Sequence, residues 1–451
     1  MFAWIFILAA VRVGGILGWK PALARYYVYK LETGDHTAGD KLEKLGPAAI
    51  PVLIGAIGSG RKPEAEPELS SILRTFGDPG EKALLAAYHG ENRDMVRRAR
   101  LAWALRGVKT EDARKAYHQA VLDERLGLYR FRFAGNDREW PVRAALWALA
   151  ARQEDDGRWS ASRWGARGAS DIEVTALVVL AFTSYGETRS SGLYSFEIGR
   201  AIEYLTKAQD QDGRFGSGSM REHALAGTAM AAAYGVEMTR GAPLALGAGR
   251  AVEWTVARQE RSGGWADVPG AAPDAFTSAL CVMQLKSAKI SGLSVAKESL
   301  ERVLAFFDAL TVPEDDGPDR LLVRPRPGER PTPRSAASAA LVRSFLGVSS
   351  EDPQMVRLAD EAAKCPADFI ADPWAGCLGK FAFLWRGECW QKWIEAERKT
   401  LKPAQTPSGV NYGLWPPNAA DGHRLGLAGY TALRALEMDH GSHGYVPMYT
   451  K

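Results

Sequence analysis

Cysteine is scarce. Four residues, Cys281, Cys365, Cys377 and Cys389, are scattered through 451 positions with no C-x-x-C pair. That spacing gives neither a cysteine zinc cluster nor a disulfide framework, so buried thiols are expected. Charge of one sign is also missing: 57 Lys+Arg face 53 Asp+Glu, for a net +4. No basic run is interleaved with aromatics, so nucleic acid is not an expected partner. Strand signals are almost absent, which excludes a sheet-based fold. There is no G-x-G-x-x-G, no phosphate loop and no Ser/His/Asp nucleophile signature. Seven histidines are present, none ligand-spaced with a cysteine. No metal and no cofactor is therefore expected.

What is present is length, hydrophobic content and repetition. At 46% hydrophobic over 451 residues the chain can build more than one core. Its first apolar stretch, "FAWIFILAAVRVGGILGW" at 2–19, is interrupted only by Arg12. A run of that length suits a helix across a bilayer. Lys20, Arg25 and Lys30 follow it, which favours leaving the rest of the chain on the cytoplasmic side. The rival reading is a signal-like segment within 1–24, cut near Ala22-Leu23-Ala24, which would export the remainder.

A short repeat follows at 25–126. Gly46, Gly77 and Gly107 are spaced by 31 and 30 residues, with Pro or Asp opening the next helix after the first two. Such a period marks a solenoid of helix pairs. The segment resembles HEAT-type repeats, about three of them, and such a resemblance implies a docking surface for a protein partner. A punctuated stretch, 127–139, reads as the linker. From 140 to 451 helical patterns alternate with glycine-rich turns, and twelve helices are expected.

Within that last region one phrase recurs. "QEDDGRW", "QDQDGRF" and "QERSGGW" place Gln153, Gly157 and Trp159, then Gln209, Gly213 and Phe215, then Gln259, Gly263 and Trp265. A weaker copy has Gln405 and Gly409, with "YGLW" at 412–415. The glutamine is expected to cap the preceding helix, the glycine to permit the turn, and the aromatic to pack over the junction. The expected role is a structural staple.

These Q-x-x-x-G-x-[W/F] stretches resemble the QW motifs of the prenyltransferase/squalene-oxidase repeat family, over 140–451. Bacterial squalene-cyclase-like proteins are the nearest look-alikes. The resemblance implies an all-α fold, an (α/α)6 toroid of the terpenoid cyclase/protein prenyltransferase kind. It would follow the HEAT-like solenoid and the N-terminal apolar helix. It also implies a central cavity suited to an isoprenoid or lipid ligand. Trp147, Trp159, Trp265, Trp374, Trp385 and Trp415 would either line that cavity or staple the helices.

The family's cyclases protonate a polyprene from D-x-D-D-T-A at an inner-helix start. Here "DIEVTA" at 171–176 is the nearest text, with Val174 where the last Asp would stand. Glu173 is then the candidate acid and Asp171 its orienting partner. The competing expectation is that Asp171 caps the helix while Glu173 sits in its first turn. Glu222, His223, Asp274, Asp421 and His423 fall near other inner-helix starts and are candidates for the cavity mouth. Prenyltransferase zinc ligands and the thioester C-G-E-Q stretch are missing. Three roles follow: a membrane-associated scaffold without catalysis, an isoprenoid or lipid binder, or a divergent terpene cyclase.

Overall fold

The computed structural model describes residues 19–62, 65–106 with scattered positions to 120, 140–189, 194–236, 242–312, 323–383, 387–407 and 410–439. The apolar run at 2–18 and the linker at 127–139 lie outside these residues, as do Trp385, Gly107 and Gly409. The chain divides into two units, Met1–Gly135 and Asn136–Lys451.

The first unit contains α1 (Trp19–Glu32), α2 (Ala38–Leu45), α3 (Ile50–Ser59), α4 (Glu66–Thr75), α5 (Asp78–Gly90) and α6 (Met95–Leu105). α1 packs on α2, α3 on α4, α4 on α5 and α5 on α6, while α2 packs on α4 and α3 also packs against α1 and α6. Leu31, Leu42, Leu53, Ile57, Leu69, Leu73, Leu84 and Leu101 form the core. Each such side chain contributes about 1.5–3 kcal/mol by leaving water. By length and composition alone, Ala38–Ser59 is apolar enough for a membrane span, with mean hydropathy 1.2. It is broken by the short 3-10 turn Gly46–Ala49, and its Leu42 and Leu53 are buried inside the unit.

The second unit is all helix apart from two isolated bridges among the described residues. Its elements are α7 (Trp140–Ala150), α8 (Asp171–Ser184), α9 (Ser195–Ala208), α10 (Met220–Val236), α11 (Ala242–Ala257), α12 (Ala275–Ile290) and α13 (Lys297–Leu310). Then come α14 (Pro333–Phe345), α15 (Pro353–Lys364), the short α16 (Pro366–Ala371), α17 (Pro373–Phe383), α18 (Gly387–Ala404) and α19 (Ala419–Met438).

Two classes of helix are distinguishable from their sequences. In α9 the buried residues Ile198, Ala201, Ile202 and Leu205 make a single stripe, as a surface helix requires. In α8 every residue from Glu173 to Ser184 is buried, and α10, α12 and α14 are similarly enclosed. Helices apolar on all sides need neighbours on all sides. They find them in a closed ring: α8 packs on α10, α10 on α12, α12 on α14, α14 on α17, α17 on α19, and α19 back on α8. The amphipathic helices α9, α11, α13, α15 with α16, and α18 sit outside that ring, as does α7, which is buried along 141–150 except at Arg143. The unit is an (α/α)6 toroid. Ring closure removes the two exposed ends that an open array would have to cap.

Candidate functional site

The repeated stretches join one outer helix to the next. Gln153, Gln209 and Gln259 lie just past the C-termini of α7, α9 and α11. Each amide Nε2 donates to the carbonyl of its own glycine, at 2.7 Å for Gly157, 2.9 Å for Gly213 and 2.7 Å for Gly263. The second N–H donates to the following outer helix: to Glu197 at 2.7 Å, Gly247 at 2.8 Å and Ser299 at 2.8 Å. The expectation that glutamine caps the preceding helix is thus corrected. A primary amide has two N–H donors, and both are used to bridge forward. Capping of the preceding helix falls to the indole. Trp159 Nε1 donates to Leu149 at 2.9 Å and Trp265 Nε1 to Thr255 at 2.8 Å, near the ends of α7 and α11. Those late carbonyls are among the ones a helix leaves open.

The glycines are required twice over. Gly157, Gly213 and Gly263 have φ of 93°, 90° and 91°. A Cβ on them would lie 2.3 Å from the Arg200 carbonyl oxygen, 2.6 Å from that of Arg250 and 2.1 Å from that of Arg302. The weaker copy works in the same way with a shifted register. Gln405 Nε2 donates to Gly413 at 2.8 Å and to Pro141 at 2.7 Å, and Trp415 Nε1 donates to Leu401 at 2.8 Å. Gly413, not Gly409, is its glycine. Because Pro141 belongs to α7, this copy ties the last outer helix to the first.

His223 belongs to this device and not to an open mouth. It is fully buried. Its Nδ1 accepts from the Phe215 N–H at 3.1 Å, where Trp159, Trp265 and Trp415 use the hydroxyls of Thr175, Ser278 and Thr431. Nε2 therefore carries the proton and donates toward Thr255 Oγ1 at 2.9 Å and the Ala251 carbonyl at 3.1 Å. Burial drives its pKa down to about 4. The ring is neutral near pH 7 and unsuited to shuttling protons.

The other candidates gather where the inner helices begin. Side-chain links between these first turns put all those starts at one end of the ring. Ser170, and not Asp171, caps α8, accepting from the Glu173 N–H at 3.1 Å. Asp171 accepts from the Ala161 N–H at 2.7 Å and pairs with Arg158 at 3.0 Å. Glu173 is held by Arg424 of α19 through two bonds, 2.8 Å to Oε2 and 2.5 Å to Oε1. Burial works against the Arg424 charge, but Glu173 and then Asp421 hold its pKa up. Asp274 caps α12 at 2.8 Å from the Thr277 N–H and pairs with Arg221 at 3.1 Å. Asp421 pairs with Arg334, which also holds Asp372 at 2.8 Å. His423 is exposed; its carbonyl accepts from the Arg167 N–H at 3.0 Å.

Two of these contacts join helices that are not ring neighbours. Arg334 on α14 reaches Asp421 on α19, past the intervening α17. Phe276 on α12 meets Trp374 on α17 with ring centroids 5.0 Å apart, past the intervening α14. Both contacts lie at the end of the ring where the inner helices begin. Arg221 and Arg334 lie over the Phe276 ring at 4.9 and 5.1 Å, within cation–π reach.

Glu222 is bonded by the Ser170 hydroxyl and the Ser217 N–H. Burial raises its pKa, with Glu173 and Asp267 adding to the effect, while hydrogen bonds from Ser170 and the Ser217 N–H oppose it. Both Glu173 oxygens, by contrast, accept from a guanidinium. Sequence reading missed the arginines. A signal was available for two of them: Arg221 and Arg334 fall in the first turns of inner helices, where the dipole disfavours a cation, whereas Arg424 stands six residues into α19, just before its kink at Gly426. Such a cation needs a carboxylate partner.

No family model and no curated protein matches the chain. Among solved structures it is similar to a type II terpene cyclase from Scytonema: 14% identity, 66% of this chain, 96% of that one, TM-score 0.44. It is also similar to a family 76 glycoside hydrolase (mannosidase) from Bacteroides thetaiotaomicron: 12% identity, 67% of this chain, 97% of that one, TM-score 0.47. A cellobiose 2-epimerase from Bacillus thermoamylovorans is a third: 12% identity, 71% of this chain, 99% of that one, TM-score 0.48. The toroid assignment rests on the closed ring of helix packing.

Proposed function

We propose that this chain is a membrane-associated scaffold of squalene-cyclase-like build, whose toroid serves interaction and not terpene cyclisation. The supporting observation is the double hydrogen bond from Arg424 to Glu173. A carboxylate whose two oxygens both accept from a guanidinium has no proton to deliver to an alkene. The Arg334–Asp421 and Phe276–Trp374 contacts at the same end of the ring add to it, because a polyprene entering there would have to pass them. In this reading residues 2–19 attach the protein to the bilayer from the cytoplasmic side. The helices of 25–126 offer the surface for a protein partner.

The test is direct. Purified full chain incubated with squalene, and separately with geranylgeranyl diphosphate, is expected to give no cyclised product by mass spectrometry. A cyclic product that disappears in Glu173→Gln overturns the reading. A second reading, an isoprenoid or lipid binder, has one observation in its favour. The buried Trp374 indole N–H has no hydrogen-bond partner beside Phe276. An isoprenoid carried through purification and lost in Trp374→Ala would favour that binder.

A further inference from the structure

The helix that follows the apolar run has two unlike faces. On α1, Ala24, Val28 and Leu31 are buried at i, i+4 and i+7 against its own unit. The opposite face turns Trp19, Arg25 and Tyr29 to solvent, with Tyr29 61% and Trp19 36% exposed. Half-buried Tyr26 lies between them, and Lys30 borders the same face. Lys20 is exposed and places its ammonium 5.9 Å from the Trp19 ring centroid. Aromatic rings with a polar edge, interleaved with cations, are the composition of a membrane interface, where one end of each ring is apolar and the other wet. The position agrees, since Trp19 ends an 18-residue apolar run in the sequence.

We infer that the outward face of α1 lies on the surface of an anionic lipid leaflet, a second membrane contact beside the apolar run. Arg25 would meet lipid phosphates and carboxylates, and the exposed Lys20, in line with Ala24 and not on the outward face, would stand at the rim beside Trp19. Trp19, Tyr26 and Tyr29 would enter the headgroup layer, and Lys30, which also pairs with Asp35 at 3.5 Å, would border the contact. The inference rests on the membrane association proposed above and adds which face is down and which lipid charge it prefers.

The experiment uses the full chain in a Cys365→Ser background, reconstituted with phosphatidylcholine vesicles with and without about 30 mol % phosphatidylserine. An environment-sensitive fluorophore is attached at Tyr29→Cys, or at Val96→Cys, an exposed position of the same unit. The expected result is a blue shift at 29, quenching there by a headgroup-level nitroxide, and neither effect at 96. Phosphatidylserine should deepen the shift. The charge reversal Arg25→Glu should remove that gain and weaken association with the anionic vesicles about fivefold or more. Vesicles that float with the protein while position 29 stays in water would overturn the inference and leave the apolar anchor standing. Equal shifts at 29 and 96 would overturn it too. Protein that does not float at all would overturn both.

Discussion

Replacing Gly263 with alanine tests the staple at its tightest point. Gly263 has φ +91°, and an added Cβ would lie 2.1 Å from the Arg302 carbonyl oxygen. Gly270 supplies an internal control: φ is +82°, and a Cβ there would meet nothing within 4 Å. Both substitutions place alanine in the left-handed region, at about 1–2 kcal/mol each. Only Gly263→Ala also forces the start of α13 outward, by about an ångström or more to reach ordinary contact. That overpacking adds about 1–3 kcal/mol. The movement pulls Ser299 from Gln259, which donates to its carbonyl at 2.8 Å and accepts from its hydroxyl at 2.7 Å. Each such bond is worth about 0.5–1.5 kcal/mol. Gly270→Ala is therefore expected to cost about 1–2 kcal/mol and Gly263→Ala roughly 3–8 kcal/mol. Urea unfolding followed by tryptophan fluorescence reads both, and Trp265 reports from within the staple. Equal midpoints for the two variants would refute the claim that close approach, and not backbone conformation alone, demands glycine.

Three further outcomes are expected. Trp159→Ala should cost about 3–5 kcal/mol, and Trp159→Phe about 1–3 kcal/mol by orphaning the Leu149 carbonyl; a thermal melt that leaves Trp159→Phe unchanged would remove the indole from the helix cap. His223 has a folded pKa of about 4 against an ordinary 6.5, so the unfolded chain takes up the proton first. Its neutral form stabilises the fold above pH 6.5, and that stability falls with pH between 6.5 and 4 by roughly 3 kcal/mol at most. Unfolding midpoints measured across that window should slope less steeply in His223→Gln. Arg424→Met leaves Glu173 without its partner and should destabilise by about 2–4 kcal/mol, discounted because the arginine is 31% exposed. Adding Glu173→Gln should recover part of that loss, and strict additivity of the two changes would show that the pair does not couple.

Much of the architecture is legible in the chain's own pattern. Apart from α7, which is apolar all round yet stands outside the ring, inner and outer helices differ in whether apolar residues run all round or in one stripe, and that is a property of sequence period. The turns are marked by glycines. The repeated glutamine-to-glycine spacing encodes the local half of each staple, because Gln153 and Gly157 are four residues apart. The other half is not legible. Gln153 also bonds Glu197, 44 residues on, and Gln405 bonds Pro141, 264 residues back. No local pattern specifies an acceptor that only ring closure brings near.

The mouth is less legible still. Sequence singles out Glu173, Asp171, Glu222, His223, Asp274, Asp421 and His423 because each falls near an inner-helix start. What each became depended on rotation about its helix, about 100° per residue, so that one position separates the ring's centre from a seam between helices. Glu222 remained at the mouth, while the next residue, His223, turned into the seam with α11. Asp171 faces the 158–161 loop, Ser170 took the cap, and Glu173 met an arginine 251 residues away. Sequence by itself determined that these groups would stand at the same end of a helical ring, because period and turns place helix starts. Which of them are joined, and which could hold a proton, only the closed ring decided, because ion pairing depends on distances that chain order does not carry.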